Sequence, residues 1–293
     1  MCMTEILIFI SKVGSINWNM EVYRMEAYTG FAQVYDLFMD NVPYQEWSQY
    51  IIRLLQEYKI EEGLVLELGC GTGKMTRLLS KAGYDMIGVD NSEEMLQIAE
   101  EASWNFKEKD GQSTKDILYL LQDMREFELY GTVRAVISVC DSINYILEEE
   151  ELLQVFQLVN NYLDPEGIFI FDINTIYKYK EILGERVICE NREEGSFIWE
   201  NYYDKKENIN QYDLTIYVQE KNHKIDGKKY YQRYEETHFQ RGYEIEQIKE
   251  LLERAGMEFL AVFDACSYKE VEENSERVYI IAREQGKIIK RKA

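Results

Sequence analysis

The chain has 293 residues, enough to bury a full core in one large domain with a smaller one attached. Its formal net charge of −21 argues against a nucleic-acid partner: a surface that tracks phosphates needs a concentrated basic face, and only 221–229 and 287–292 cluster Lys and Arg. No run of eighteen apolar residues is present to span a membrane, and five scattered cysteines without a Cys-x-x-Cys pair suit a reducing, cytoplasmic setting.

Residues 1–24 include the apolar stretch 6–10, too short and without the basic lead of a secretory signal. An N-terminal extension or a mis-assigned start is expected there, with Met20 or Met25 as alternative starts. From 44 to 58, Trp47, Ile51, Leu54, Leu55 and Tyr58 recur at helical spacing. The apolar run 64–68 reads as a buried strand. It leads into Gly69-Cys70-Gly71-Thr72-Gly73, where glycines at alternate positions let the backbone turn sharply and approach a ligand. Lys74 then opens a helix with Met75, Leu78, Leu79 and Ala82 on one face. A second apolar run, 86–89, ends in Asp90, placed to accept hydrogen bonds from both hydroxyls of a ribose. Ser92 is an N-cap for the helix that follows. Residues 148–162 form another helix with an acidic start, and a turn at 164–167 introduces the strand 168–173.

The glycine spacing separates two cofactor classes. A dinucleotide site reads Gly-x-Gly-x-x-Gly, with a helix N-terminus on a pyrophosphate. Here the pattern is Gly-x-Gly-x-Gly with Glu67 two residues ahead, a carboxylate better suited to a ligand carrying an ammonium and a sulfonium. In these residues the chain resembles the class I S-adenosylmethionine-dependent methyltransferases, whose first motif is Glu/Asp-x-Gly-x-Gly-x-Gly. The stretch 119–125 resembles the family's third-strand motif, which makes Asp123 the partner of the adenine amino group and Met124 the donor of the neighbouring backbone N–H. Residues 133–145 resemble the fourth strand and the loop bordering both cofactor and acceptor. Tyr28, Phe31, Ala32, Tyr35, Asp36, Pro43, Tyr44 and Trp47 resemble the helical segment that closes over the methionine half.

The resemblance thus implies a cofactor site of Tyr28, Tyr35, Tyr44, Glu67, Gly69, Cys70, Gly71, Gly73, Asp90, Asn91, Met95, Asp123, Met124 and Cys140, with Met95 packed on adenine. Cys70 and Cys140 read as small packing residues rather than nucleophiles. The implied fold is α/β: a doubly wound, mostly parallel seven-stranded sheet from 25–175 and 243–293, with an antiparallel β lid inserted at 176–242. S-adenosylmethionine is the implied cofactor and S-adenosylhomocysteine the product.

The inserted stretch alternates in the period of two that marks strands, at 196–203, 211–220 and 228–239, with turns at 204–208 and 226–227. Eight of the 23 tyrosines fall between 202 and 243, enough to line the wall of a small-molecule site. Tyr230, Tyr234 and His238 share one strand face, and Tyr231, Arg233 and Phe239 the other. Methyl transfer to an amine or hydroxyl requires proton removal, and imidazole is the side chain that ordinarily titrates near neutrality, so His238 is the first candidate base. Asp141 and Tyr145 are the next. Two histidines far from any cysteine pair leave no zinc site. After the fourth strand the chain departs from the family's short catalytic signatures, which leaves the acceptor open. Methylation of a small molecule on oxygen or nitrogen is the leading expectation. Its rivals are RNA or protein side-chain methylation and a non-catalytic module that binds nucleoside or a partner.

Overall fold

The computed structural model describes residues 35–287, other than 37, 41, 111–115 and 226–227. In chain order, helix α1 (Tyr44–Glu57) precedes strand β1 (Leu64–Leu68), and α2 (Lys74–Lys81) connects it to β2 (Asp85–Asp90). Helix α3 (Glu93–Asp110) leads to β3 (Leu118–Leu121), followed by β4 (Val133–Ser138), α4 (Glu149–Tyr162) and β5 (Leu163–Asn174). Four further strands come next: β6 (Val187–Asn191), β7 (Gly195–Asp204), β8 (Ile209–Ile225) and β9 (Lys228–Arg241). Helix α5 (Ile245–Arg254), β10 (Met257–Asp264) and β11 (Arg277–Glu284) complete the described chain.

Seven of these strands form one sheet in the order β10-β11-β5-β4-β1-β2-β3, with β11 antiparallel to both neighbours. The near-continuous apolar runs of β1, β4 and β5 follow from covering a parallel sheet on both faces. Phe169, Phe171 and Ile173 of β5 pack with Leu152 and Phe156 of α4 and Ile248 and Leu252 of α5. Ile168 and Ile170 point the other way, to Ile51 and Leu54 of α1 and Met75 and Leu79 of α2. This alternation leaves the carboxyl ends of β1, β2, β3, β4 and β5 along one rim, where an open α/β sheet binds its ligands.

Strands β6 to β9 pair antiparallel in sequence order as a second sheet, entered from the rim end of β5. The hairpin strands expected from the alternation are present as β7, β8 and β9, whereas β6 and a π-helical turn at Lys178–Leu183 have no counterpart in the sequence reading. Strand β6 is a five-residue edge with alternately exposed and half-buried positions, and Glu190 and Asn191 weaken its strand propensity. The turn expected at 164–167 lies inside β5 as an irregularity: Glu166 has φ +63°, and a Cβ on Gly167 would sit 2.8 Å from the Asp164 carbonyl oxygen. The N-terminal stretch 1–24, Tyr28 and the turn at 226–227 lie outside the described residues.

Candidate active site

The loop after β1 is shaped by backbone geometry. Gly69, Gly71 and Gly73 all have positive φ. A Cβ on Gly69 would lie 2.5 Å from the Ser142 hydroxyl, so that position admits no side chain. On Gly71 it would meet nothing within 4 Å, so this residue opens onto free space. The Gly71 N–H donates to Asp90 Oδ2 at 2.7 Å and the Ser92 N–H to Oδ1 at 2.9 Å, so the end of β2 is tied to the glycine loop. Burial raises the Asp90 carboxyl above its ordinary value, and the N–H groups of Ser92 and Gly71 pull the other way. Ser92 caps α3 through its hydroxyl, which accepts from Met95 N–H at 3.2 Å. Below the loop, Glu67 is buried, accepts a hydrogen bond from the Thr76 hydroxyl, and is pushed up to about 8 by loss of solvent.

The segment before α1 lies over this loop. Asp36 Oδ1 accepts from the Thr72 hydroxyl at 2.9 Å, and the Lys74 ammonium sits 4.6 Å from the centre of the Tyr44 ring. The Tyr35 and Tyr44 hydroxyls are hydrogen-bonded to each other, and Cys140 Sγ is 3.9 Å from the Tyr44 hydroxyl. Burial raises the Cys70 and Cys140 thiols, which keeps both protonated and suits them to packing. On the far side, Asn91, Leu121, Gln122 and Asp123 line a cleft of about 390 Å³. Asp123 is gripped by its neighbour: Arg125 Nη2 donates to Oδ2 at 2.6 Å and Arg125 N–H to Oδ1 at 2.8 Å, while Arg125 also reaches Glu151 at 3.1 Å.

The turn after β4 is the most constrained part of the rim. Cys140 and Asp141 both have left-handed backbones, with φ +61° and +54°, each costing about 1–3 kcal/mol that the surroundings must supply. They are held by Asp172, a carboxylate within the apolar run 168–173 of β5, which accepts from the N–H groups of Cys140 and Asp141 at 3.1 and 2.8 Å. Arg277, at the start of β11, bridges Asp172 at 2.6 Å and Asp141 at 2.5 Å. Gln240 of β9 donates to the remaining Asp141 oxygen at 2.6 Å. Asp141 is therefore an anchor between the two sheets, with one oxygen held by Arg277 and the other by Gln240.

Tyr145, at the end of the same turn, meets the insertion. Its hydroxyl lies 2.5 Å from the Tyr212 hydroxyl and 3.2 Å from His238 Nδ1. The His238 ring stacks on Tyr212 at 4.8 Å and 10°, and its Nε2 is 3.1 Å from Glu236 Oε2. So two of the three residues singled out for proton transfer come together, and the third, Asp141, stands apart as a support. Asp172, Arg277, Glu236 and Tyr212 are absent from the sequence reading. A lone Asp inside the apolar run 168–173 was a signal for the first, and the period of two that placed His238 also places Glu236 beside it.

Seven strands in this order, with a glycine loop after β1 and a carboxylate closing β2, define a Rossmann-like α/β fold, a class whose ligands sit at the carboxyl rim of the sheet. A family model for a methyltransferase domain matches residues 65–167. A candidate methyltransferase of Geobacillus sp. (strain WCH70) is 35% identical over 257 residues, 87% of this chain and 99% of that protein. The crystal structure of an S-adenosylmethionine-dependent methyltransferase from Clostridium acetobutylicum ATCC 824 is 30% identical and has a TM-score of 0.75. It covers 88% of this chain and 99% of its own. A dTDP-3-amino-3,4,6-trideoxy-alpha-D-glucopyranose N,N-dimethyltransferase of Streptomyces venezuelae is 28% identical over 143 residues, 48% of this chain and 56% of that protein. The chain belongs to the S-adenosylmethionine-dependent methyltransferases, and S-adenosylmethionine is its cofactor.

Proposed function

We propose that the protein transfers a methyl group from S-adenosylmethionine to an oxygen or nitrogen of a small-molecule acceptor, held between the rim of the main sheet and a lid formed by the insertion, 176–242. The observation that carries this reading is the meeting of Tyr145 and His238, because the turn bearing Tyr145 also touches the glycine loop through Ser142. A reacting atom placed there has an imidazole and a phenol within reach.

The residues fit the cofactor. Gly71 opens on the space a ligand would fill, with Gly69, Cys70 and Gly73 shaping the loop around it. Asp90 spends one acceptor position of each oxygen on backbone N–H groups, which leaves lone pairs for a ribose diol. Asn91, Met95, Asp123 and Met124 would surround the adenine. The amino contact implied for Asp123 would be shared with the Arg125 guanidinium. Tyr35, Tyr44 and Cys140 would face the methionine half, with Glu67 as the carboxylate nearest a cationic group. Tyr28 belongs to the set by resemblance alone.

The sulfonium supplies a methyl group that is already activated. The chain contributes alignment, exclusion of water and a proton acceptor, for which His238 is the candidate and Tyr145 its contact to the acceptor. The charge of −21 and the aminosugar specificity in the name of the Streptomyces relative both favour a small acceptor over nucleic acid. The described cysteines are free thiols, and no described helix is long and apolar enough to cross a membrane.

The test is methyl transfer from labelled S-adenosylmethionine into a cell extract split into metabolite, RNA and protein fractions. Label in the metabolite fraction is expected. Label confined to RNA or protein would refute the small-molecule reading, and retention of a partner with no label transferred would favour a binding module.

A further inference from the structure

A carboxylate is costly to bury on a sheet face, yet Glu236 is only 6% exposed and stands opposite the apolar Leu214. Its contact with His238 Nε2 at 3.1 Å sets the direction of a chain. With Glu236 ionised, Nε2 carries the ring proton and Nδ1 is left as an acceptor for the Tyr145 hydroxyl at 3.2 Å. Glu236 and His238 are both buried, while Tyr145 and Tyr212 are partly open to solvent. At the open end stand aromatic rings, with Trp199 5.1 Å from Tyr212 and Tyr212 stacked on His238. Two polar atoms on the same face, Trp199 Nε1 and Asn210 Oδ1, are buried without a hydrogen-bond partner. Buried polar atoms in native folds are nearly always paired, with protein, with water or with a bound group, so this face has hydrogen-bonding capacity to offer.

We infer, building on the methyl-transfer reading above, that the acceptor is an amine that arrives as its ammonium ion against Tyr145, Tyr212 and Trp199, with Tyr145 the catalytic contact, His238 the proton sink and Glu236 a positioning residue. Aromatic rings beside a buried carboxylate–imidazole pair favour a cation over a neutral hydroxyl. The ammonium gives one proton to the Tyr145 oxygen as Tyr145 gives its own to His238 Nδ1, and the imidazolium so formed is balanced by Glu236. The freed nitrogen lone pair then forms the new N–C bond as the methyl group's bond to sulfur breaks. That electron pair stays on sulfur, leaving a thioether and a methylated ammonium.

The protein has only two histidines, so imidazole-15N labelling gives two sets of NMR signals, and His223→Asn assigns them. The protein is loaded with S-adenosylhomocysteine, its binding followed by calorimetry in the same samples, and titrated with tetramethylammonium or with the neutral tert-butanol. The expected result is an Nε2-protonated His238 whose signals move saturably with the ammonium probe and not with the alcohol. Glu236→Gln should lose that proton position and weaken ammonium binding about tenfold or more, with S-adenosylhomocysteine affinity unchanged. Label recovered from the extract should sit on nitrogen, and with that amine Tyr145→Phe should lower kcat about a hundredfold with little change in KM. Saturable binding of the alcohol alone, no ammonium binding in the loaded protein, an unchanged Glu236→Gln variant, or label on oxygen would each overturn the amine assignment. Failure to bind S-adenosylhomocysteine would instead overturn the cofactor site on which it rests.

Discussion

The glycine loop and the inner face of the insertion sit on the same rim, yet they are built on different principles. The loop is shaped by its backbone. Its positive-φ glycines, the Gly71 N–H on Asp90 and the cap on α3 are local features, and each leaves a mark within a few residues of sequence. The insertion presents side chains instead. Tyr212 and His238 become neighbours because β8 and β9 pair in a register 26 positions apart in the chain, and Tyr145 joins them from the turn after β4. A site made of backbone is therefore tied to one cofactor, whereas a site made of side chains can change its acceptor by substitution without disturbing the loop.

The join between the two regions is the sharpest place to break this comparison. Arg277 lies half-buried between Asp141 and Asp172, and Asp172 in turn holds the strained Cys140 and Asp141 backbone. Arg277→Met should cost about 3–5 kcal/mol in urea unfolding, since it strands two carboxylates, one of them fully buried. It should also weaken cofactor and acceptor binding together. Loss of only one would show that the regions are independent.

Glu67 offers a second test, on the loop side alone. Its carboxyl is pushed up to about 8 when folded, against an ordinary value near 4.5. The folded state thus holds a proton that the unfolded state releases between those values. Stability from this group is complete below about pH 4.5 and is lost as pH rises toward 8, by at most about 1.4 kcal/mol per unit. Glu67→Gln should flatten that slope in the ligand-free protein. Binding S-adenosylmethionine should ionise Glu67, detected as proton release when calorimetry is repeated in buffers of different ionisation enthalpy. Identical heats in all buffers would place the cationic end of the cofactor away from Glu67.

The smallest expected effect falls on one contact of the loop. Asp90→Ala should weaken cofactor affinity by about 1–3 kcal/mol, the cost of losing charge-assisted hydrogen bonds. The arrangement of Tyr145, Tyr212 and His238 should be untouched, as read from the imidazole signals. An unchanged affinity would put the ribose elsewhere.

How much of this was legible in the sequence follows the same divide. The apolar runs of β1, β2, β4 and β5, the amphipathic spacing of α1 and the Ser92 cap were readable because their causes are local. Strand β6 was not, because a short half-exposed edge has no alternation strong enough to distinguish it from a loop. Asp141 borders the site and reads as a candidate base from sequence alone, whereas its pairing with Arg277, 136 residues away, leaves no local mark. His238 and Tyr145 were placed separately, and their contact depends on how the insertion folds back over the rim.

The most direct measurement is a crystal structure of the protein with S-adenosylhomocysteine. The account predicts the ribose hydroxyls on Asp90, the adenine in the cleft lined by Asn91 and Asp123, and the sulfur directed toward Tyr145 and His238 beneath the insertion. A nucleoside bound away from the glycine loop, or a sulfur facing away from the insertion, would contradict it.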